Sequence, residues 1–261
     1  NCHGEAADRD PMSAPARELY FYLIAPVSHH MTSDRLIIVP DEDLHYLPFQ
    51  ALPTTSGGGY LGESHRISYA PSATVLASLE PVGALVRPRV LAVADPSLRY
   101  APAEVRALGE QFSGHIVSDA LVKEAEVKRR MEGMDLVHFA VHGSFVSDEP
   151  LLSYLHLGAG DGDDGKLTAA EMYGLPLDAA KLVVLSACDT GSVRATHANE
   201  VIGMVRGLLF AGADALLLSA WKIDDKATAE WMRIFYAALQ TNPPAAAART
   251  AIKQLCGTPG F

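Results

Sequence analysis

The chain has few cysteines, no apolar run of membrane-spanning length and fewer basic side chains than acidic ones. Its 261 residues contain only Cys2, Cys188 and Cys256. Three scattered cysteines make neither a disulfide framework nor a zinc ribbon. Cys2 and Cys256 sit at the two ends and read as incidental. A reducing cytoplasm fits best, where Cys188 stays a thiol. No apolar run approaches the ~18–20 residues of a membrane span. The polar stretch Asn1 to Asp10 has no signal-peptide core. Residues 1–16 read as a boundary linker ahead of a domain over 17–261, and the natural protein is expected to extend upstream. The 21 basic and 31 acidic side chains give a net charge of −10. That excess argues against binding nucleic acid or an anionic membrane and favours neutral or basic partners. No internal repeat of fixed period is visible.

Apolar residues make up 49% of the chain, enough to bury a sizeable core. Strand-like runs alternate with helix-like ones, which predicts an α/β fold with a mostly parallel sheet and helices on its faces. Strands are expected at 35–40, 89–94, 115–118, 135–142, 181–188 and 215–221. The piece 154–157 reads as an edge or hairpin strand. Helices are expected from Ser72 (a natural N-cap) and over 103–112, 123–131, 199–211, 224–240 and 245–255. Thr168 and Glu171 form a capping box, and Gly212 stands where a helix C-cap is needed.

Two of these strands end alike. Residues 135–143, DLVHFAVHG, stop at His142 and Gly143. Residues 181–191, KLVVLSACDTG, stop at Cys188 and Asp189. In an open parallel sheet, ligands sit outside the carboxyl ends of the strands. Neighbouring strands would therefore bring an imidazole to a thiol. An unperturbed thiol, pKa about 8.5, is mostly protonated at neutral pH. The imidazole accepts that proton, the thiolate attacks a carbonyl, and the imidazolium protonates the leaving amine. The backbone N–H groups of Gly143 and Cys188 are candidates for the oxyanion hole. Asp95 and Trp221 stand at two further strand ends. With Ser186, Asp189 and Asp224 they are substrate-binding candidates. Trp221 is open between pocket wall and core, and Asp189 more readily stabilises the turn leaving its strand.

Other patterns give way to plainer readings. His138, His142 and Cys188 offer zinc-type ligands, but CxxC and HExxH are absent and no further ligand is evident, so His138 reads as core or supporting shell. Residues 161–165, DGDDG, fail as a calcium loop because glycine falls at loop position 5 and methionine at 12. They read as an acidic surface turn. The glycines at 57–59 lack the Lys-Ser/Thr of a phosphate loop.

These residues resemble the CHAT family, relatives of caspases and separase among the caspase-fold cysteine peptidases. The matching stretches are VHFAVHG (137–143), GKLTAAE (165–171), VLSACDTG (184–191), AGA (211–213) and SAWKIDD (219–225). Upstream, LIIVPD (36–41), LPF (47–49) and YAPS (69–72) also match, so the likeness covers about residues 17–256. The resemblance implies a caspase-like three-layer sandwich, a His142–Cys188 dyad and endopeptidase activity, with no metal or organic cofactor. It also implies control by helical repeats such as tetratricopeptide repeats, which are absent here. For some bacterial members it implies a role in antiphage defence and proteolytic activation of a gasdermin-like pore-forming partner. Several relatives specific for basic residues have an aspartate two positions before the cysteine, where this chain has Ser186. That position therefore does not imply cleavage after Arg or Lys. A neutral pocket fits as well, although Asp95, Asp189, Asp224 and Asp225 could line it. The rival readings are a catalytically silent scaffold that signals by conformation and a different acyl-transfer enzyme using the same dyad.

Overall fold

A computed structural model describes residues 13–54, 59–112, 115–117, 122–146, 148–186, 198–219 and 225–256. Helix α1 (Ser13–Leu23) begins inside the stretch read as a linker. It is followed by β1 (Arg35–Ile38), α2 (Leu61–Ser64), β2 (Arg66–Tyr69) and α3 (Ala73–Ser78). The main alternation is β3 (Val90–Ala94), α4 (Ala101–Gln111), β4 (His115–Val117), α5 (Glu124–Arg130) and β5 (Leu136–Ala140). Three short strands come next: β6 (Gly143–Ser144), β7 (Tyr154–His156) and β8 (Lys166–Thr168). The chain closes with α6 (Ala169–Met172), β9 (Leu182–Leu185), α7 (Ala198–Phe210), β10 (Leu216–Leu218), α8 (Asp225–Leu239) and α9 (Pro244–Cys256).

The central sheet is parallel throughout, in the order β10-β9-β5-β3-β4. Its inner strands are apolar at almost every position because both faces are covered. Alternation divides the core in two. Leu91, Val93, Val137, Phe139, Val183 and Leu185 pack with Val127, Met172, Met204 and Leu208 from α5, α6 and α7. Val90, Ala92, Leu136, Leu182 and Val184 face α4, α8 and α9, where they meet Val105, Leu108, Phe235, Leu239 and Ala247. The result is the three-layer α/β sandwich that the resemblance implied.

Local signals hold where they were legible. Ser72 Oγ accepts the Val75 N–H at 3.1 Å and opens α3. Thr168 Oγ1 accepts the Glu171 N–H at 3.2 Å, and Glu171 Oε2 accepts the Thr168 N–H at 2.9 Å. Beyond α7, Gly212 has φ +111, and a Cβ there would come within 2.9 Å of Asp178 Cα. The piece over 154–157, expected as an edge or hairpin strand, is a hairpin strand rather than an edge. It forms β7, the middle strand of a separate antiparallel sheet, β6-β7-β8. Its two partners are two and three residues long and leave no strand-length pattern.

A third, smaller core of Tyr20, Ile24, Phe49, Leu52 and Leu61 lies under the parallel pair β1–β2. Asp34 ties this unit to α9 through Arg249 at 2.9 Å, while also meeting Arg66 at 2.5 Å. Cys256, read as incidental from its terminal position, is disulfide-bonded. A pairing made only by tertiary proximity leaves no mark in cysteine spacing. Among the described residues no helix is long and apolar enough to cross a membrane.

Candidate active site

The strand order fixes where a ligand crevice opens. From β3 the chain runs outward over α4 to β4, then returns over the opposite face through α5 to β5. The direction of winding reverses between β3 and β5. A crevice forms beyond the carboxyl ends at such a switch point. Asp95 follows β3, and His142 follows β5 two residues beyond its last paired position, Ala140.

His142 is half-buried in the link from β5 to β6. Its carbonyl accepts the His156 N–H at 2.8 Å, which anchors the link to β7. The two imidazoles meet edge to face, with centroids 6.2 Å apart at 77°. Ser144 Oγ lies 2.7 Å from His156 Nε2, and the Tyr154 ring packs 4.8 Å from the His156 ring. Burial first, then the charges of His142 and Lys166, lower the His156 pKa; the Asp95 carboxylate opposes them. His156 is therefore kept as a neutral wall beside His142.

Gly143 pairs with Leu155 between the exchanged bonds of the antiparallel ladder. Such a non-hydrogen-bonded position turns its N–H away from the partner strand. Asp95 is only 3% exposed. Its N–H donates to the Ala140 carbonyl at 2.9 Å, and its Oδ1 accepts the Ser97 N–H at 2.8 Å. The aspartate thus shapes the turn that leaves β3 while placing a carboxylate at the crevice.

Beneath the crest lies a buried polar chain that the sequence did not reveal. His138, on β5, is fully buried on the α4/α8 face. Its Nδ1 sits 2.6 Å from the Tyr236 hydroxyl. Burial, reinforced by the Glu104 carboxylate, holds the Tyr236 phenol well above its ordinary pKa. A phenol that stays protonated is able to donate to Nδ1. The His138 Nε2 stands 3.1 Å from Glu104 Oε1, close but misaligned for a hydrogen bond. Ser186 Oγ donates to Glu104 Oε2 at 3.1 Å, and the Ser186 N–H donates to the Phe139 carbonyl at 2.8 Å. His138 and His142 therefore have separate surroundings.

Of the sequence candidates, His142, Gly143, Asp95 and Ser186 gather at this end of the sheet. Cys188, Asp189, Trp221 and Asp224 lie outside the described residues. β5 and β9 are adjacent, and Phe139 pairs with Leu185. Those partners are 46 residues apart in the chain, as are His142 and Cys188. Sequence reasoning missed Glu104, His156 and Tyr236, because their partners are brought together only by tertiary folding. The acidic turn at 161–165 joins another cluster. Glu124, Asp163 and Glu171 converge as metal-type ligands, yet the Lys128 ammonium stands among them, 2.5, 3.4 and 3.0 Å from the three carboxylates. A lysine already stands where a metal ion would and offsets part of the charge.

The three-layer α/β sandwich around a parallel sheet is consistent with the caspase-like class of protein. The chain belongs to the CHAT domain family, whose family model matches residues 13–259. That family is related to caspase-like cysteine peptidases. The chain is also similar to tetratricopeptide repeat protein 28 of Homo sapiens, at 26% identity over 296 aligned residues. The alignment covers 90% of this chain and 12% of that protein, so the chain spans a small part of its relative's length.

Proposed function

We propose that this chain is a cysteine endopeptidase in which Cys188 is the nucleophile and His142 the general base and acid. The observation that carries the reading is the adjacency of β5 and β9, with a register offset equal to the separation of His142 from Cys188. The imidazole takes the thiol proton and the thiolate adds to the scissile carbonyl. The N–H groups of Gly143 and Cys188 hold the oxyanion; the turning of the Gly143 N–H away from β7 supports its part. The C–N bond then breaks, the imidazolium protonates the leaving amine, and water hydrolyses the thioester. Ser186, Asp95, Asp189, Trp221 and Asp224 remain the proposed pocket residues. No metal or organic cofactor enters this scheme.

The substrate is a specific partner protein, a gasdermin-like pore former being the proposed type, cut in the cytoplasm during defence or cell death in a bacterial setting. Helical repeats elsewhere in a longer protein would control the site. The name of the human relative, which refers to such repeats, supports that arrangement.

The test compares new protein chain ends generated by wild type and by Cys188→Ala. Cleavage lost in the variant while its circular dichroism is unchanged is the expected result. Equal cleavage by both would sink the assignment. Non-reducing peptide mapping is the companion measurement. It must find Cys188 alkylated as a free thiol rather than joined to Cys256.

A further inference from the structure

A histidine that works as a base must aim one ring nitrogen, and the χ2 torsion that aims it is broad and roughly two-fold. The backbone alone does not fix that torsion, so a neighbouring group must. The antiparallel ladder beside His142 supplies one. Gly143 pairs with Leu155 and Ser144 with Tyr154. One step back along the same ladder His142 faces His156, whose N–H donates to the His142 carbonyl at 2.8 Å. Directly opposed residues of an antiparallel pair put their side chains on one side of the sheet, close enough to touch. Leu155 and Leu167 point to the other side and are fully buried. The two imidazoles accordingly meet edge to face, with 6.2 Å between centroids. His156 is itself clamped. Its Nε2 shares a 2.7 Å hydrogen bond with Ser144 Oγ, and the Tyr154 ring packs 4.8 Å away. Lys166, its partner on β8, holds its ammonium 5.2 Å from the Tyr154 centroid. Three strands immobilise the ring that His142 leans on.

We propose that His156 is a positioning residue, whose clamped ring sets the orientation in which His142 presents its imidazole to the crevice. The catalytic meaning of that contact rests on the endopeptidase reading above. Ser144 and Tyr154 act one step farther out, by keeping His156 in place. Charge works in the same direction. The groups whose charges act on His156 are His142, Lys166 and Asp95, with the Tyr154 phenol ring against its face. Burial first, then His142 and Lys166, favour the neutral ring against the pull of Asp95. When His142 takes up a proton during the reaction, the new imidazolium meets a neutral neighbour rather than a second positive charge.

The experiment has two readouts on the whole chain. The first is NMR of isotope-labelled histidine, with the His142 ring signals assigned by their loss in His142→Gln. Ser144→Ala leaves both rings present, so a shift of the His142 signals there reports reorientation and not a lost ring current. Such a shift is expected, and a larger one in His156→Ala. The second readout is iodoacetamide alkylation of Cys188 against pH, followed by mass spectrometry. An imidazole that shares the thiol proton keeps alkylation fast below the ordinary thiol pKa of about 8.5. That low-pH limb is expected to fall about 10-fold or more in His156→Ala, and His156→Phe, which keeps a ring, is expected to recover most of it. Unmoved His142 signals in Ser144→Ala and His156→Ala overturn the inference, whatever Cys188 does. Moved signals with an unchanged low-pH limb also overturn it, because the contact then has no consequence for the thiol. A profile that His142→Gln leaves unaltered overturns the peptidase reading and the positioning role with it. Ser144→Ala, at a half-buried position, decides by both readouts if His156→Ala fails to fold.

Discussion

His138 is held between a tyrosine and a glutamate. Tyr236 donates to His138 Nδ1 in a site closed to water. Tyr236→Phe removes the donor and leaves the ring nitrogen buried without a partner. The expected loss of stability is about 1–3 kcal/mol, read from the shift of a urea unfolding curve. His156 makes a complementary prediction. Its folded-state pKa lies below the ordinary 6.5 because burial and positive neighbours disfavour the imidazolium. The unfolded chain then binds the proton more readily than the folded one. Stability is full above the unfolded value and declines as pH falls below it toward the folded value. His156→Gln is expected to flatten the slope of unfolding free energy against pH between about 7 and 5. An unchanged slope would show that the neutral wall beside His142 has no thermodynamic content.

Elements are joined by one lysine as well as by apolar packing. Lys128 on α5 reaches Glu124 on its own helix, Asp163 in the β7–β8 turn and Glu171 on α6. Burial raises the Glu124 pKa and the Lys128 ammonium opposes that rise, while hydrogen bonds to the carboxylates keep Lys128 firmly charged. Lys128→Met strands a fully buried carboxylate. The expected cost is roughly 2–3 kcal/mol, at the low end for a broken buried pair because Lys128 keeps contact with water. Adding Glu124→Gln to that variant is expected to recover part of the loss in the same urea measurement. Gly165, where β8 begins, has φ +85, and a Cβ would fall 2.7 Å from the Leu157 carbonyl oxygen. Gly165→Ala is expected to lower the thermal midpoint through strain in the β7–β8 turn.

At the level of the whole molecule, cores of unequal size imply unequal stability. The unit formed by α1, α2 and the β1–β2 pair buries five large side chains, against far larger clusters on either face of the main sheet. Native-state hydrogen exchange is expected to show β1 and β2 opening at lower free energy than β3, β5 and β9. Equal protection across all of them would mean that the Asp34 ties to Arg66 and Arg249 fuse the two parts into one cooperative unit. The excess of acidic side chains bears on partners rather than fold. Retention on a polyanion column at physiological salt would contradict the sequence reading.

The sequence by itself determined the alternation of strands and helices, the caps at Ser72, Thr168 and Gly212, and the burial of β3, β5 and β9. These follow from local periodicity and from hydrogen bonds that reach three or four residues. It also singled out His142, because a polar, glycine-flanked end to an apolar run stands out in one dimension. Only the tertiary structure decided that β5 and β9 are neighbours, that β7 lies at the middle of its own sheet, and that Cys256 is paired. It alone set Glu104 against Ser186, 82 residues away, and Tyr236 against His138, 98 residues away. A glutamate on an amphipathic helix looks the same in sequence whether it faces water or a buried serine. Its neighbours are chosen by how helices pack on a sheet, and that choice leaves no periodic trace in the chain.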